Sequence, residues 1–381
     1  FFHGLLDAFD ASGIPSPGLR SDIEKGADVA AAAYSGFSSY LSEKFMDRAV
    51  EKDGVGRELY QLSSRVYNGV ELDLEETYRW GWDELYRIES EMMGTCAKIL
   101  PGASIEETKL FLESDPNRAI DGVEEFRQWM QDLQDRTIAE MDGVHFDIPG
   151  PLRKIEAMIA PPGGSLAMYY TSPSEDFARP GRTWYPTGGK TRFPLWGEVS
   201  IAYHEGVPGH HFERATAKYL AAELSRFQRL MGGTSGYVEG WALYSESLGE
   251  EMGFYEDPYD KFGQLTYEMW RAVRLVVDTG LHHKHWTRQQ AIDYFKANAA
   301  KTELDIINEI DRYIGNPGQA LAYKIGELKI RQLRGEATAQ LGDQFDIRAF
   351  HDVVLGSGAI PLDVLEANVH RWIETECQTD V

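Results

Sequence analysis

Cysteine is nearly absent: Cys96 and Cys377 are the only two among 381 residues. Two thiols cannot build a disulfide scaffold at this length, and neither belongs to a CxxC metal pair. A reducing compartment, the cytoplasm, is therefore the expected location. Basic charge is also scarce, with 38 Lys and Arg against 61 Asp and Glu and a net charge of −23. Such a field repels polyanions and anionic lipid surfaces, so neither nucleic acid nor a membrane is expected as a partner. Long apolar runs are missing: the longest uncharged stretch, 157–174, is broken by Pro161, Pro162, Gly163 and Gly164, which a spanning helix would not tolerate. No targeting signal can be read either. The chain opens Phe1-Phe2-His3 with neither Met nor a basic segment, as a processed or cut boundary would.

What remains is ordinary globular usage, 43% hydrophobic and 26% charged, enough for a sizeable core. Apolar residues recur at helical spacing through 17–141, for example Leu59, Leu62 and Val66, then Trp80, Trp82, Leu85 and Ile88. Ser-Asp-Pro-Asn-Arg-Ala at 114–119 reads as a turn between elements. From Phe146 to Pro194 proline and glycine crowd in and short runs such as Ala167-Met168-Tyr169-Tyr170-Thr171 predict a small sheet with loops. Helical periodicity returns at Leu195, interrupted at Gly232-Gly233, Pro258 and Gly315-Asn316-Pro317-Gly318. The expected organisation is one mainly α domain over 1–381. Within it, 1–145 is a helical subregion, 146–194 a small sheet with loops, and 195–381 the metal-site helices and a helical C-terminal part. No repeat or low-complexity block stands out.

Six of the ten histidines fall in two clusters, His204/His210/His211 and His282/His283/His285. The first stands in His204-Glu205-Gly206-Val207-Pro208-Gly209-His210-His211. In HExxH zinc hydrolases two histidines four apart share a helix face while the intervening Glu polarises water. Here Pro208 occupies the second histidine's place. On a straight helix His210 would lie roughly 120° off the His204 face, and His211 roughly 20° off but about 10.5 Å along the axis. Pro208 lacks an N–H and clashes with the preceding turn, so a bulge at Pro208-Gly209 is expected to swing His210 back; His211 stays open as the alternative second ligand. Catalytic zinc needs a third protein ligand, for which Glu239 is the candidate, with Glu246 seven residues on as a hydrogen-bond partner for a ligand imidazole. His283 and His285 flank Lys284 in a solvated turn before a helix start at Thr287, and no second metal site is expected there.

The segments His204–Glu213, Glu239–Glu246, Arg274–His282 and Arg312–Lys324, with Ile159–Gly164 and Arg179–Arg182 ahead of them, resemble the bacterial DUF885 family, which is grouped with the gluzincin metallopeptidases. The resemblance covers nearly the whole chain, and its HExxPGHH pattern is specific. It implies a helical peptidase-like domain with a small antiparallel β-sheet beside the active-site cleft, and a front helical portion missing from this chain. It also implies His204 as ligand, Glu205 as base and Glu239 as distal ligand; aligning Gly209-His210 with the Gly-His that closes the family motif favours His210 as the second ligand.

The expected function is a zinc (Zn2+)-dependent metallopeptidase acting on small peptides, with zinc-activated water attacking the carbonyl and Glu205 as general base. For the oxyanion, Tyr323 is the first candidate, followed by Tyr313 and His282. Substrate contacts are expected from Tyr170 in an edge strand able to pair with a peptide, and from guanidinium groups at Arg271, Arg274 and Arg312. Two other functions fit the same residues: a metal-dependent amide hydrolase acting on a non-peptide substrate, and a non-catalytic binding or scaffold protein with a degenerate site. Nothing in the sequence speaks to oligomeric state.

Overall fold

The computed structural model describes residues 2–161, 167–299 and 302–378. It divides into two compact units, Phe1–Asp53 and Gly54–Val381. The residues 1–145 expected as one helical subregion contribute to both. In the first unit, α1 (Gly4–Ala11) and α2 (Pro17–Tyr40) are joined through an Arg20–Asp10 ion pair at 2.7 Å, and Pro17 occupies the first turn of α2, where its missing N–H costs nothing.

The second unit starts with α3 (Arg57–Asn68), α4 (Leu74–Ile99) and α5 (Ile105–Ser114). Asp73 caps α4 by accepting from two backbone N–H groups, and Ser104 with Glu107 forms a reciprocal capping box on α5. Helix α3 forms where its spacing predicts, but with the opposite face inward. Leu59, Leu62 and Val66 are exposed, while Tyr60, Ser64 and Asn68 are buried, because small and hydrogen-bonding side chains admit the turn at Gly318 and the start of a later helix at Gly236. The turn at 114–119 is present: Asp115 caps a single 3₁₀ turn, which passes into β1 (Ala119–Asp121) and then α6 (Val123–Met141).

Strands β2 (Ile155–Ile159), β3 (Tyr169–Thr171), β4 (Gly181–Tyr185) and β5 (Arg192–Pro194) lie where the composition changes. β1 pairs antiparallel with β5, and the other three form a sheet ordered β2-β4-β3, so β3 is an edge strand. The sheet expected to be antiparallel is mixed: β3–β4 is antiparallel, but β2 runs parallel to β4. The chain between β2 and β4 is long enough to carry β3 and cross back, which parallel neighbours require. Pro162, Gly163 and Gly164 of the family-like segment lie outside the described residues.

The remainder is helical: α7 (Glu198–Glu205), α8 (His210–Tyr219), α9 (Arg226–Leu230), α10 (Ser235–Glu251), α11 (Pro258–His282), α12 (Arg288–Asn298), α13 (Glu303–Gly315), α14 (Ala322–Leu341), α15 (Ile347–Gly356) and α16 (Leu362–Gln378). Pro258 starts α11, Thr287 caps α12 in a capping box, and the Gly315–Gly318 segment separates α13 from α14. α10 and α11 are buried on most sides and carry the core, which includes Trp241, Leu248, Val273, Leu275 and Val276. The closest seam lies between α10 and α14. A Cβ at Gly240 would come within 2.4 Å of the Gly326 Cα, and one at Gly326 within 1.7 Å of the Gly236 carbonyl oxygen. Only glycine permits this approach, which sets Glu239 and Tyr323 on two helices at minimal spacing. Among the described residues no helix is long and apolar enough to cross a membrane.

Candidate metal centre

Helix α7 stops at Glu205, and the expected bulge is a full break into two helices. Gly206 (φ −100°, ψ −120°) and Gly209 (φ −71°, ψ −123°) leave helical geometry. A Cβ at Gly209 would stand 2.0 Å from the His204 carbonyl oxygen and 2.4 Å from that of Tyr203, so the reversal is open to glycine alone. The turn is tied by Gly209 N–H to Tyr203 O (2.9 Å), His211 N–H to Gly206 O (3.0 Å) and the Trp241 indole N–H to Pro208 O (3.0 Å). It starts α8 at His210 and turns that imidazole onto His204, with ring centroids 4.9 Å apart and planes nearly perpendicular.

The Nε2 atoms of His204 and His210 lie 3.5 Å and 3.7 Å from the same oxygen, Oε2 of Glu239. Two donors held 2.0–2.2 Å from one tetrahedral ion stand roughly 3.3–3.5 Å apart, so this spacing suits a shared divalent cation. His204, Glu205 and His210 also present potential ligand atoms within 4.8 Å of one another. The donor set of two imidazoles and a carboxylate, with a further carboxylate beside it, fits zinc. Behind His204, Glu246 is fully buried; its Oε1 pairs with His204 Nδ1 at 2.7 Å and its Oε2 accepts from Ser200 at 2.7 Å, leaving Nε2 to face the centre.

The electrostatics are those of a centre short of positive charge. Burial disfavours the His204 imidazolium, yet the Glu239 and Glu246 carboxylates outweigh it and push the group up to about 9. Burial alone would raise Glu239, but His204 and His210 bring it down to about 2. Burial holds His210 neutral, lowering it to about 3, and pushes Glu205 up to about 7 against the pull of His204.

His211 is turned away. Its Nε2–H donates to Leu152 O and its Nδ1 accepts from Tyr170 O–H, both at 2.8 Å, so both ring nitrogens are engaged outside the cluster. Tyr323 stacks over His204 at 6.4 Å and lines a cavity of about 650 Å³ with His204, Glu205, His210, Glu239, Arg271 and Arg274. A second cavity of about 300 Å³ shares Glu205, His210 and Glu239 and continues past Tyr170 and Ser172 of the edge-strand region. Tyr313, His282 and Arg312 line neither. Tyr313 donates to Glu309 (2.7 Å), His282 lies between Val55 N–H and Tyr313 O, and Arg312 is bound by Glu309 (2.8 Å) and Gln319 (2.7 Å). His283 and Lys284 pair with Glu75. Arg271 and Arg274 line the larger cavity as expected, together with Tyr267 and Trp270, which were not singled out. The signal that finds them is the spacing 267, 270, 271, 274 on α11, a one-face pattern usually sought only for apolar residues.

A broken helix presenting two histidines to a glutamate on a neighbouring helix defines a mainly helical protein with a candidate mononuclear metal centre. The chain belongs to the DUF885 family, described as a bacterial protein of unknown function, which matches it over residues 4–369. It is similar to a solved structure described as the "putative lipoprotein" of Colwellia psychrerythraea, with 34% identity and a TM-score of 0.84 over 94% of this chain and 64% of that one. The chain thus spans less than two thirds of that relative. A "putative lipoprotein of unknown function" from Shewanella oneidensis is similar at 19% identity and a TM-score of 0.71, over 96% of this chain and 69% of that one. No curated protein is significantly similar.

Proposed function

We propose that this chain is a zinc-dependent metallopeptidase that hydrolyses small peptides. The observation that carries the reading is the convergence of His204 Nε2 and His210 Nε2 on Glu239 Oε2, at 3.5 and 3.7 Å, with half-buried Glu205 alongside. Zinc held by these three side chains would supply the Lewis acid that activates water and polarises a carbonyl.

The chain's own groups account for the rest. Glu205 is positioned to take a proton from the attacking water and return it to the departing amine. Glu246 fixes the His204 ring through Nδ1 and so holds its other nitrogen toward the centre. Tyr323 supplies an O–H for the charge that develops on the carbonyl oxygen, in a wall that includes Trp270 and Tyr267. A cavity of about 650 Å³ is in the range of small-ligand sites and favours short peptides over folded chains. Both lipoprotein relatives favour a location outside the cytoplasm over the cytoplasmic one read from the sequence, and cell fractionation decides between them.

Protein purified without added metal is expected to hold about one zinc per chain. A content near zero that dialysis against zinc does not restore would overturn the reading. Glu205→Gln is expected to keep the metal and lose roughly 10²- to 10⁴-fold in peptide hydrolysis. A fully active variant would remove Glu205 from the mechanism.

A further inference from the structure

Arg271 and Arg274 line the larger cavity and Arg214 the second, and their partners separate them: Arg214 is held by buried Glu213 at 2.9 Å. Arg312 is saturated by Glu309 and Gln319. Arg274 gives one nitrogen to Glu309 at 2.8 Å and leaves its Nε without a partner among the described residues. Arg271, 3% exposed, has no hydrogen-bond partner for Nε or Nη1 among the described residues. Its Nη2 comes no nearer than 3.9 Å to Glu246, whose two oxygens already serve His204 and Ser200.

A buried guanidinium with open N–H groups is costly unless something completes it. Its charge is partly offset by the faces of Trp270, Tyr267 and Tyr323, whose ring centroids lie 4.7, 5.2 and 5.7 Å from its central carbon. Ring faces engage the flat side of the group and leave the in-plane Nε and Nη1 buried without a partner among the described residues. Those donors belong to a residue that lines the same cavity as His204, Glu205, His210 and Glu239. The complement of a planar fork of donors in a desolvated wall is a carboxylate bound in bidentate fashion.

We propose that Arg271 captures the free α-carboxylate of a short peptide, making the site a remover of carboxy-terminal residues. The proposal rests on the peptidase reading above. Arg271 is one carboxylate, Glu246, away from the ligand His204. In a peptide, the carbonyl carbon of the last amide and the terminal carboxylate are separated by only N and Cα, roughly 3.5–4 Å. An anchor in the wall of the cavity that holds His204, Glu205, His210 and Glu239 selects the last amide bond. The residues before the cut then occupy the second cavity, alongside Tyr170 and Ser172.

Calorimetric titration of the full chain, both zinc-loaded and chelator-treated, with Ala-Ala-Phe and with its C-terminal amide tests the anchor directly. The acid is expected to bind about 10- to 100-fold more tightly than the amide in both states. Arg271→Met is expected to abolish the difference. Because the acid–amide comparison is made on the unaltered chain, a variant that fails to fold does not remove the test. Equal binding of acid and amide overturns the anchor, as does a preference that an amidated peptide ending in Glu satisfies equally well. In hydrolysis, N-acetylated peptide acids are expected to lose their last residue and the matching amides to persist. Cleavage of both alike would leave the peptidase standing and the anchor overturned. Absence of zinc and of all hydrolysis would overturn the peptidase, while the binding ratio would still decide the anchor.

Discussion

At the residue scale the centre depends on atoms that do not touch one another by accident of packing. Tyr323 is held between the His204 ring at 6.4 Å and the Arg274 guanidinium at 4.7 Å from its ring centre. Burial raises its hydroxyl above the ordinary tyrosine value, with Glu239 adding to the effect and Arg274, Arg271 and Arg312 opposing it, so it remains a donor at neutral pH. Tyr323→Phe removes only that O–H, and the expected loss is roughly 10²- to 10³-fold in kcat with KM nearly unchanged. A rise in KM at constant kcat would instead make it a binding residue. His204, Glu205 and Glu239 were legible from residue type and spacing. His210 was favoured over His211 through the bulge expected at Pro208-Gly209, but its extent was not legible, because it depends on the backbone angles at Gly206 and Gly209 and on the Trp241 indole bond. Nor was the ranking of the arginines, since that depends on where Glu309 lies.

At the element scale, Asp278 ties three pieces together. Its Oδ2 accepts from the Tyr60 hydroxyl of α3 at 2.8 Å and from the N–H of Gly318, ahead of α14, at 2.9 Å. Burial pushes this carboxyl up to about 7, against the two hydrogen bonds, which favour the charged form. An unfolded aspartate titrates near 3.9, so between about pH 4 and 7 the folded chain binds the extra proton. The contribution of this group to stability is therefore complete at low pH and is lost as pH rises through about 7. Asp278→Asn is expected to flatten the fall of unfolding free energy over that interval in urea titrations. An unchanged slope would assign the pH dependence to other groups. The start of α12 was readable because Thr287 announces it, and Asp73 and Ser104 carry the same capping signal for α4 and α5. The inward face of α3 was not, because it is built from Ser64 and Asn68 rather than from the apolar Leu59, Leu62 and Val66.

For the whole molecule, the dominant fact is a net charge of −23. Like charges at that density repel across distances that added salt shortens, from about 30 Å at 0.01 M to about 8 Å at 0.15 M. The midpoint of thermal unfolding is expected to rise between ~10 and ~200 mM sodium chloride; a flat or falling midpoint would mean that ion pairs such as those of buried Lys324 with Glu84, Glu268 and Glu327 outweigh the repulsion. The mainly helical class and the position of the small sheet followed from periodicity and from where proline and glycine cluster. The parallel β2–β4 pairing did not, since composition marks where the strands and their connection lie but not the direction in which neighbouring strands run.

A centre shared by two cavities has a kinetic consequence. Under the proposed activity the two fragments of a cut bond would lie in different cavities, and neither would have to back out past the other. Under the proposed activity their departure is unordered, so the freed amino acid and the shortened peptide should each slow turnover independently when added to the assay.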